Sequence, residues 1–522
     1  MSKSIGLFRF LVVVLAFLAC LCETAPGQTD LTGFWKYSVQ DGGVNYLEFK
    51  QAGEQIFVGG RNGMSQTPYG TLHGDKLHIQ VPSPFGNPDS KRFTTYDAVI
   101  KGDKFPATRK DQDGEVTNGT LAKVAKEEAH PARLPLPELR DLPDNGLART
   151  PPMGWNSWNK YHDHFDDAIV RQTADAMVSS GMAKAGYTYI IVDEGWSSYR
   201  DKNGKITGNA RFPDMKALAD YVHSKGLKIG IYSSPGPQVC GGYQGSYGHE
   251  DEDAKTFAEW GYDYLKYDWC SAGGIYQSTT ADLQGAYQKM GDALAKTGRP
   301  MVYSLCEYGS ANVAAWGAKT GGNLWRTTFD ISDNWKSMEA NGFSQLDITQ
   351  YPTPGHWNDP DMLEVGNGGM TGDEYRTHMS LWAMLRAPLI AGNDLRSMTD
   401  ETKSILMNTD VIAVDQDPLA KPVEVLSRQG KYLVLVRPLD GNAVAVGLFN
   451  RGDEPAEMNF QWDSLHMGVG LGFKSIEVKN LWTGEEVKVT SDDFTAGNSL
   501  TATVPKHGVV LLKVTVGPFR FR

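Results

Sequence analysis

Carboxylates, amides and tryptophans accompany short apolar runs through the middle of the sequence. Asp193 and Glu194 directly follow the run 189–192, and Lys266 and Asp268 lie at another run. The remaining runs carry Trp155, Asn156 and Trp158; Cys306 and Glu307; Arg326 and Asp330; and Trp357, Asn358, Asp359 and Asp361. One charged residue after a strand is usually a solvated loop, but this recurrence predicts a polar cup with an aromatic rim. Such a cup suits a sugar, because carboxylates and cations bind its hydroxyls and tryptophan stacks on its apolar ring face.

Two carboxyl groups on either side of a glycosidic bond are what its cleavage requires. Lys266 precedes Asp268 by two residues, so on a strand both side chains point to the same face. A nearby cation favours the ionised carboxylate, which suits Asp268 to act as a nucleophile. The simpler interpretation of this spacing is an ordinary ion pair.

The elements that must position these residues alternate between strand and helix over residues 148–419. The run 189–192 is predicted to be a buried strand, and 227–232 the next one, with a helix between them that ends at Gly226. This rhythm is typical of a parallel α/β fold, and its length suits a (β/α)8 barrel, in which functional residues collect at the C-terminal ends of the strands. A doubly wound sheet is the alternative, but no GxGxxG motif opens a helix here.

Four further segments flank the barrel in this interpretation. Recurrent turn residues predict small all-β and antiparallel sandwich domains at the two ends, and prolines mark a stiff linker. The predicted order is a signal peptide (1–28), an N-terminal all-β domain (29–128), a Pro-rich linker (129–147), the barrel (148–419) and a C-terminal β-sandwich (420–522).

Composition excludes several classes of protein. Hydrophobic residues make up 40% of the 522-residue chain and the net charge is −11, which argues against disorder and against general attraction to nucleic acid or anionic lipid. Lys3 and Arg9 precede an apolar run, 10–21, that is too short for a membrane span and typical of a secretory signal. We therefore expect a secreted or periplasmic protein. Lipid anchoring at Cys20 is a less favoured alternative.

The mature chain would retain three cysteines, Cys240, Cys270 and Cys306. Export permits disulfides, and one pair with one free thiol is the simplest arrangement. Neither a CxxC nor an HExxH motif occurs, so no dedicated zinc site is expected.

The segment 148–420 resembles glycoside hydrolase family 27, the α-galactosidase or melibiase family. The matching motifs, in order, are Arg149-Thr150-Pro151-Pro152-Met153-Gly154-Trp155, Leu265-Lys266-Tyr267-Asp268, Trp325-Arg326 with Asp330-Ile331, Trp357-Asn358-Asp359-Pro360-Asp361-Met362 and Asp415-Gln416-Asp417-Pro418. The last hundred residues also suit the family's β-sandwich, whereas residues 30–145 fall outside its usual plan.

The resemblance implies a secreted, exo-acting retaining glycosidase without metal or organic cofactor, acting on galactosides. Asp268 matches the family's nucleophile and Asp330 its acid/base. Cys240 and Cys270 match a disulfide that braces the site. The positions that match sugar-binding residues are Trp155 (beneath the sugar ring), Asp193, Glu194, Tyr232, Lys266, Cys306, Glu307, Arg326, Asp361 and Met362.

Glu194 departs from the family, whose α-galactosidases carry two adjacent aspartates at this point. The extra methylene would push the carboxylate about 1.5 Å toward the C6 hydroxymethyl of galactose. β-L-Arabinopyranose has the same ring configuration without C6, and some family members that resemble this chain at this position are β-L-arabinopyranosidases. The alternative is a backbone shift that absorbs the extra carbon. Tyr308, where many relatives have tryptophan, is a smaller departure.

Two broader alternatives remain at this point. The barrel could be a carbohydrate-binding protein that has lost catalysis, although both candidate carboxylates are present. The N-terminal domain could be a carbohydrate-binding module or a packing domain. Trp35 and Tyr37 share one strand face there, and such pairs belong more often to a core than to a ligand platform.

Overall fold

The computed structural model of the protein describes the chain in nine stretches. These are residues 29–39, 44–60, 63–65, 68–82, 93–110, 116–198, 200–465, 475–490 and 499–516. The expected signal peptide, 1–28, lies outside them. The described residues form two compact units, one made of 29–39 and 45–129, the other of residue 44 and 130–516. No helix in these stretches has the length and apolar character needed to cross a bilayer.

The first unit is an antiparallel sheet closed on itself. Its strands are β1 (Gly33–Val39), β2 (Val44–Ala52), β3 (Gln55–Gly60), β4 (Gly63–Met64), β5 (Gly70–His73), β6 (Lys76–Pro82), β7 (Phe93–Val99), β8 (Lys104–Lys110) and β9 (Val116–Val124). Their order is β2-β1-β9-β8-β7-β6-β5-β3-β4, and the additional β2–β3 pairing closes the ring. A short helix, α1 (Lys126–Ala129), follows.

Trp35 and Tyr37 lie in the core of this unit. Both are buried; the Trp35 ring packs against Phe49 and Phe105, and its Nε1 donates to the carbonyl of Leu31. The favoured assignment of the pair to a core, and not to a ligand platform, is therefore correct.

The second unit contains a parallel barrel. Its strands are β10 (Met153–Asn156), β11 (Tyr189–Ile191), β12 (Lys228–Ser233), β13 (Tyr264–Asp268), β14 (Val302–Cys306), β15 (Leu324–Arg326), β16 (Trp357–Asp359) and β17 (Leu389–Ala391). Sequential neighbours pair in parallel, and β17 returns to pair with β10. A parallel bridge between Leu363, four residues past β16, and Ala391 of β17 completes the ring. The predicted (β/α)8 architecture is confirmed.

Helices surround these strands. They are α2 (Trp158–Tyr161), α3 (Asp167–Ser179), α4 (Met182–Ala185), α5 (Met215–Ser224), α6 (Glu250–Trp260), α7 (Thr280–Lys296), α8 (Trp335–Ser344), α9 (Gly372–Leu385), α10 (Asp400–Leu406) and α11 (Thr409–Asp415). Short 3-10 segments occur at Ala272–Gly274, Ser310–Ala315, Gly317–Thr320, Gln345–Asp347, Leu395–Ser397 and Trp462–Leu465.

Local sequence explains where these helices begin and end. Thr371 and Glu374 form a reciprocal capping box that begins α9. α6 ends at Gly261, whose φ of 89° lies in the left-handed region that glycine adopts without steric cost. The polar residues of the seventh run divide between strand and loop: Trp357, Asn358 and Asp359 form β16, because their backbone pairs with β15, and Asp361 follows it.

The C-terminal part of this unit is antiparallel. Its strands are β18 (Glu424–Gln429), β19 (Tyr432–Leu439), β20 (Ala443–Asn450), β21 (Ala456–Gln461), β22 (Ser475–Asn480), β23 (Glu486–Thr490), β24 (Ser499–Val504) and β25 (Val509–Val516). Six of them form one sheet, β18-β19-β20-β25-β22-β23, and β21 pairs with β24. A hairpin turn at Asp440-Gly441, a pair of residues typical of such turns, joins β19 to β20.

A buried arginine on β19 ties this sheet to the barrel. Arg437 donates to the carbonyls of Ala383 in α9 and Val414 in α11, and to that of Lys421. Its neighbour Asp415 is also fully buried.

Candidate active site

Asp268 ends β13, where the C-terminal edge of the barrel gathers the polar residues. It is only 6% exposed, and its Oδ2 accepts a hydrogen bond from the Tyr232 hydroxyl at 2.9 Å. Its Oδ1 is buried and accepts no hydrogen bond from the described part of the chain. One oxygen is thus fixed in place while the other keeps its lone pairs for another partner.

Lys266 does not pair directly with Asp268, as the simplest interpretation of their spacing would require. Its Nζ lies 2.8 Å from Oδ2 of Asp193. The two side chains nevertheless act on each other. Burial raises the pKa of Asp268, and the positive charge of Lys266 opposes that rise, as do the nearby Tyr308 hydroxyl and the hydrogen bond from Tyr232. The expected influence of Lys266 on the carboxylate is present, but it acts at longer range than a contact.

Asp330 lies in the loop after β15 and is much more open than Asp268, with 53% of its side chain exposed. Nη2 of Arg326 holds its Oδ1 at 3.0 Å, and the same nitrogen lies 3.0 Å from Oδ2 of Asp361. Asp361 also accepts hydrogen bonds from the backbone N–H groups of Ile331 and Met362. The buried arginine therefore connects a fixed carboxylate to an exposed one, and it orients the exposed one.

Asp193 and Glu194 follow β11 as predicted, and both are buried. Asp193 accepts from Nδ2 of Asn156 at 2.7 Å as well as from Lys266. Glu194 Oε2 accepts from the backbone N–H of Gly241 at 2.7 Å. Burial raises the pKa of Glu194 to about 8, and the negative charges of Asp193 and Asp268 add to that rise. This shift in pKa favours the protonated form of Glu194.

The disulfide pairs Cys240 with Cys270 and leaves Cys306 free and buried, as the family resemblance implied. The bond joins the loop after β12 to the end of β13, so it holds Gly241 against Glu194. Cys270 Sγ also lies 3.3 Å from the Tyr232 hydroxyl that contacts Asp268.

Glu307 is buried at the end of β14 beside Cys306 and Tyr308. Neither of its carboxylate oxygens accepts a well-formed hydrogen bond from the described residues, and burial raises its pKa well above the ordinary range. The neighbouring Arg326 charge opposes this rise. A buried carboxyl without partners is costly, so this position favours a ligand that supplies hydroxyl groups.

Trp155 does not have the exposure expected of a residue that stacks beneath a sugar ring. It is 0% exposed, and its Nε1 donates to the carbonyl of Asn393, so no ring face is available. Trp158, three residues later, is half-buried and packs against the apolar cluster inside the barrel that contains Met362. The sequence signal for both tryptophans was the same, and only burial separates them.

One grouping of possible metal-ligand atoms occurs among the described residues, made of Cys240, Asp268 and Cys270. Its two sulfur atoms are bonded to each other, so they are not thiolates that could bind an ion.

This site combines buried and half-exposed carboxylates at the strand ends of a (β/α)8 barrel with an arginine between carboxylates and a half-buried tryptophan. Such a combination is typical of a glycosidase. Comparison with known proteins identifies the family. The profile described as Alpha galactosidase A matches residues 150–417, and that of the Alpha galactosidase C-terminal beta sandwich domain matches 429–514. The chain belongs to this family, glycoside hydrolase family 27.

Individual relatives agree with this assignment. The chain is 46% identical over 361 residues to the alpha-galactosidase of Cyamopsis tetragonoloba, covering 68% of this chain and 85% of that protein. The structure of alpha-galactosidase I from Mortierella vinacea is similar with a TM-score of 0.66 and 39% identity, over 71% of this chain and 98% of that one. A β-L-arabinopyranosidase of the same family from Geobacillus stearothermophilus, in complex with arabinose, shares the fold with a TM-score of 0.61 and 24% identity, over 70% of this chain and 97% of that one.

Proposed function

We propose that the protein is an exo-acting retaining α-galactosidase that removes terminal α-D-galactopyranosyl groups from oligosaccharides or polysaccharide side chains. The observation that carries the proposal is the asymmetry of the two carboxylates. Asp268 is buried with one oxygen fixed and one oxygen without a partner, whereas Asp330 is half-exposed and held by Arg326. The relatives named above support galactose as the sugar.

The proposed reaction is a double displacement. Oδ1 of Asp268 attacks the anomeric carbon, and the glycosidic bond breaks as Asp330 gives its proton to the departing oxygen. The resulting glycosyl ester of Asp268 is hydrolysed when Asp330, now ionised, takes a proton from water and the water oxygen displaces the carboxylate. The sugar leaves with its original anomeric configuration, and both carboxyl groups regain their starting protonation.

The different burial of Asp268 and Asp330 suits their two proposed roles. Tyr232 and the charge of Lys266 favour the ionised form of Asp268 against the effect of burial. Asp330 lies at the more open side of the site, and the leaving group and then water must pass close to it. The side chains proposed to bind the sugar are Trp158, Asp193, Glu194, Tyr232, Lys266, Cys306, Glu307, Arg326, Asp361 and Met362.

The second candidate is β-L-arabinopyranosidase activity, and Glu194 is the observation that favours it. Its carboxyl is buried beside Asp193 and is anchored at Gly241. The C6 hydroxymethyl group of galactose needs space near Asp193 and Glu194. Arabinopyranose lacks this group and needs no such space. A non-catalytic carbohydrate-binding protein is the remote alternative, which the availability of Oδ1 of Asp268 makes less suitable.

The test measures release of nitrophenol from the α-D-galactopyranoside and the β-L-arabinopyranoside by wild type, Asp268→Asn and Asp330→Asn. We expect Asp268→Asn to be inactive on both. Asp330→Asn should retain activity on a dinitrophenyl glycoside, whose leaving group needs no proton. A 2-deoxy-2-fluoro glycosyl fluoride should label the peptide that contains Asp268, as read by mass spectrometry. Turnover by Asp268→Asn equal to wild type would refute the assignment, and greater activity on the arabinoside would establish the second candidate.

We also propose that the protein is exported. The basic and apolar pattern of residues 1–28 supports this, as does the Cys240–Cys270 disulfide, because such bonds persist in oxidising compartments. The proposal can be tested by measuring the size and the N-terminal sequence of the protein recovered from the periplasm or the medium. Accumulation of the uncleaved chain in the cytoplasm would refute it.

A further inference from the structure

Phe329 is the most exposed of the large hydrophobic side chains in the described part of the chain. It is 77% exposed, and the next most exposed, Val116, reaches 56%. It directly precedes Asp330 in the loop after β15 and lies between the two motifs, Trp325-Arg326 and Asp330-Ile331, that carry the family resemblance. An exposed phenyl ring next to the acid/base of a glycosidase calls for an explanation in terms of a ligand.

The loop that carries Phe329 is firmly held. The Phe329 carbonyl accepts a hydrogen bond from Nδ2 of Asn341 at 2.9 Å, and the carbonyl of Thr328 accepts one from Arg326 at 3.2 Å. On the other side of Asp330, the N–H of Ile331 donates to Asp361 at 2.8 Å. The phenyl ring is therefore presented by a fixed backbone, so ligand binding need not order the loop.

A second aromatic ring extends this surface toward the catalytic residues. Tyr308 stacks on Phe329 with 6.1 Å between ring centroids and an interplanar angle of 17°. The guanidinium carbon of Arg326 lies 5.9 Å from the Tyr308 centroid. Tyr308 directly follows buried Glu307. Its backbone has a φ of 58°, a left-handed conformation that is unusual for a tyrosine.

We propose that Phe329, supported by Tyr308, forms the subsite that binds the ring of the leaving group. This inference rests on the proposed glycosidase reaction. The oxygen that leaves must come within hydrogen-bonding reach of Asp330, so a ring attached to that oxygen lies beside the neighbouring residue. Pyranoses present a face of C–H groups, which stacks on a phenyl ring. The occupant is therefore the adjacent sugar of an oligosaccharide, and aryl aglycones share the same surface.

The experiment compares Phe329→Ala with wild type on three glycosides of the preferred sugar: a disaccharide such as melibiose, a methyl glycoside and a nitrophenyl glycoside. The departing oxygen must be protonated both in the methyl glycoside and in the disaccharide. Of these two leaving groups, only the sugar of the disaccharide has a ring. We expect kcat/KM to fall about tenfold for the disaccharide and for the aryl glycoside, as loss of an aromatic contact implies. For the methyl glycoside it should change less than twofold.

Control variants separate the platform from a structural role. Phe329→Tyr should retain wild-type kcat/KM on the disaccharide, and Phe329→Leu, apolar but not aromatic, should resemble alanine. Tyr432→Ala removes another exposed aromatic side chain, on β19, and should change nothing. If Phe329→Ala merely displaced Asp330, the methyl glycoside would lose as much activity as the disaccharide.

A transfer reaction gives a second readout. The subsite should also bind an acceptor, because acceptor attack reverses departure of the leaving group. With added glucose, Phe329→Ala should lower the ratio of transfer to hydrolysis about tenfold. Equal losses on all three substrates, or no loss on the disaccharide, would overturn the subsite while leaving the glycosidase assignment intact. A wild type that cleaves none of the three would overturn both.

Discussion

Substitution of Glu194 by aspartate should change which sugar the enzyme prefers. The glutamate Oε2 lies 2.7 Å from the backbone nitrogen of Gly241. Removing one methylene withdraws the carboxylate by about 1.5 Å, so this separation grows to about 4 Å, beyond hydrogen-bonding distance. The carboxylate then leaves the disulfide loop and returns the space of one methylene to the pocket.

The magnitude follows from what one methylene is worth in a binding pocket. A difference of this size discriminates substrates by about 10- to 200-fold in kcat/KM. We therefore expect Glu194→Asp to raise the ratio of galactoside to arabinoside kcat/KM by about tenfold or more. The lost hydrogen bond leaves the N–H of Gly241 without its partner, so a stability loss of about 1–3 kcal/mol should accompany the change in specificity.

The assay measures kcat/KM on the nitrophenyl α-D-galactopyranoside and β-L-arabinopyranoside side by side. Glu194→Gln is the matched control, because it keeps the length of the side chain and an oxygen that can accept from Gly241. Its ratio should stay close to that of wild type. A ratio for Glu194→Asp within twofold of wild type, in a folded protein, would refute the view that this carboxyl controls access of C6. It would mean that the loop at Gly241 already absorbs the extra carbon.

Three further outcomes follow from the site and its supports. Trp158→Ala should raise KM about tenfold through loss of a stacking contact, whereas Trp155→Phe should lower the melting temperature with little effect on KM; the reverse pattern would restore Trp155 to the sugar-binding role. Between pH 5 and 8, wild type should lose stability relative to Glu194→Gln by up to about 1.4 kcal/mol per pH unit, measured by urea unfolding, and parallel curves would contradict a raised pKa. Arg437→Met should cost about 3–5 kcal/mol of stability because it removes hydrogen bonds to three backbone carbonyls and a positive charge near buried Asp415. Adding Asp415→Asn should recover part of that loss, and an additive double variant would exclude the coupling.

The barrel was predictable from the sequence because its signals are local. Strand and helix alternate, glycines such as Gly261 end the helices, and the polar residues come at predictable strand ends. The antiparallel hairpin at Asp440-Gly441 was predictable for the same reason.

What sequence could not provide is the partner of each side chain. Lys266 and Asp268 do share a face, but only a third residue, Asp193, which follows another strand, determines where the lysine charge goes. The exposure that separates Trp158 from Trp155 depends on how strands and loops close around each ring. Nothing in the sequence indicated that Phe329 is exposed, because its type and spacing do not distinguish it from a phenylalanine of the core.

The raised pKa values are a consequence of the charges in the site, not of one residue. Buried carboxyl groups outnumber the two cations, Lys266 and Arg326, and a neutral sugar adds no charge that could compensate them. Protons must do so: burial raises the pKa of Glu194 to about 8, and that of Asp359 to about 6. Each of these groups stabilises the fold fully below its unfolded pKa and loses that contribution as pH rises through its folded value. The excess of buried carboxyl groups should therefore make the fold lose stability as pH rises from about 5 to about 8.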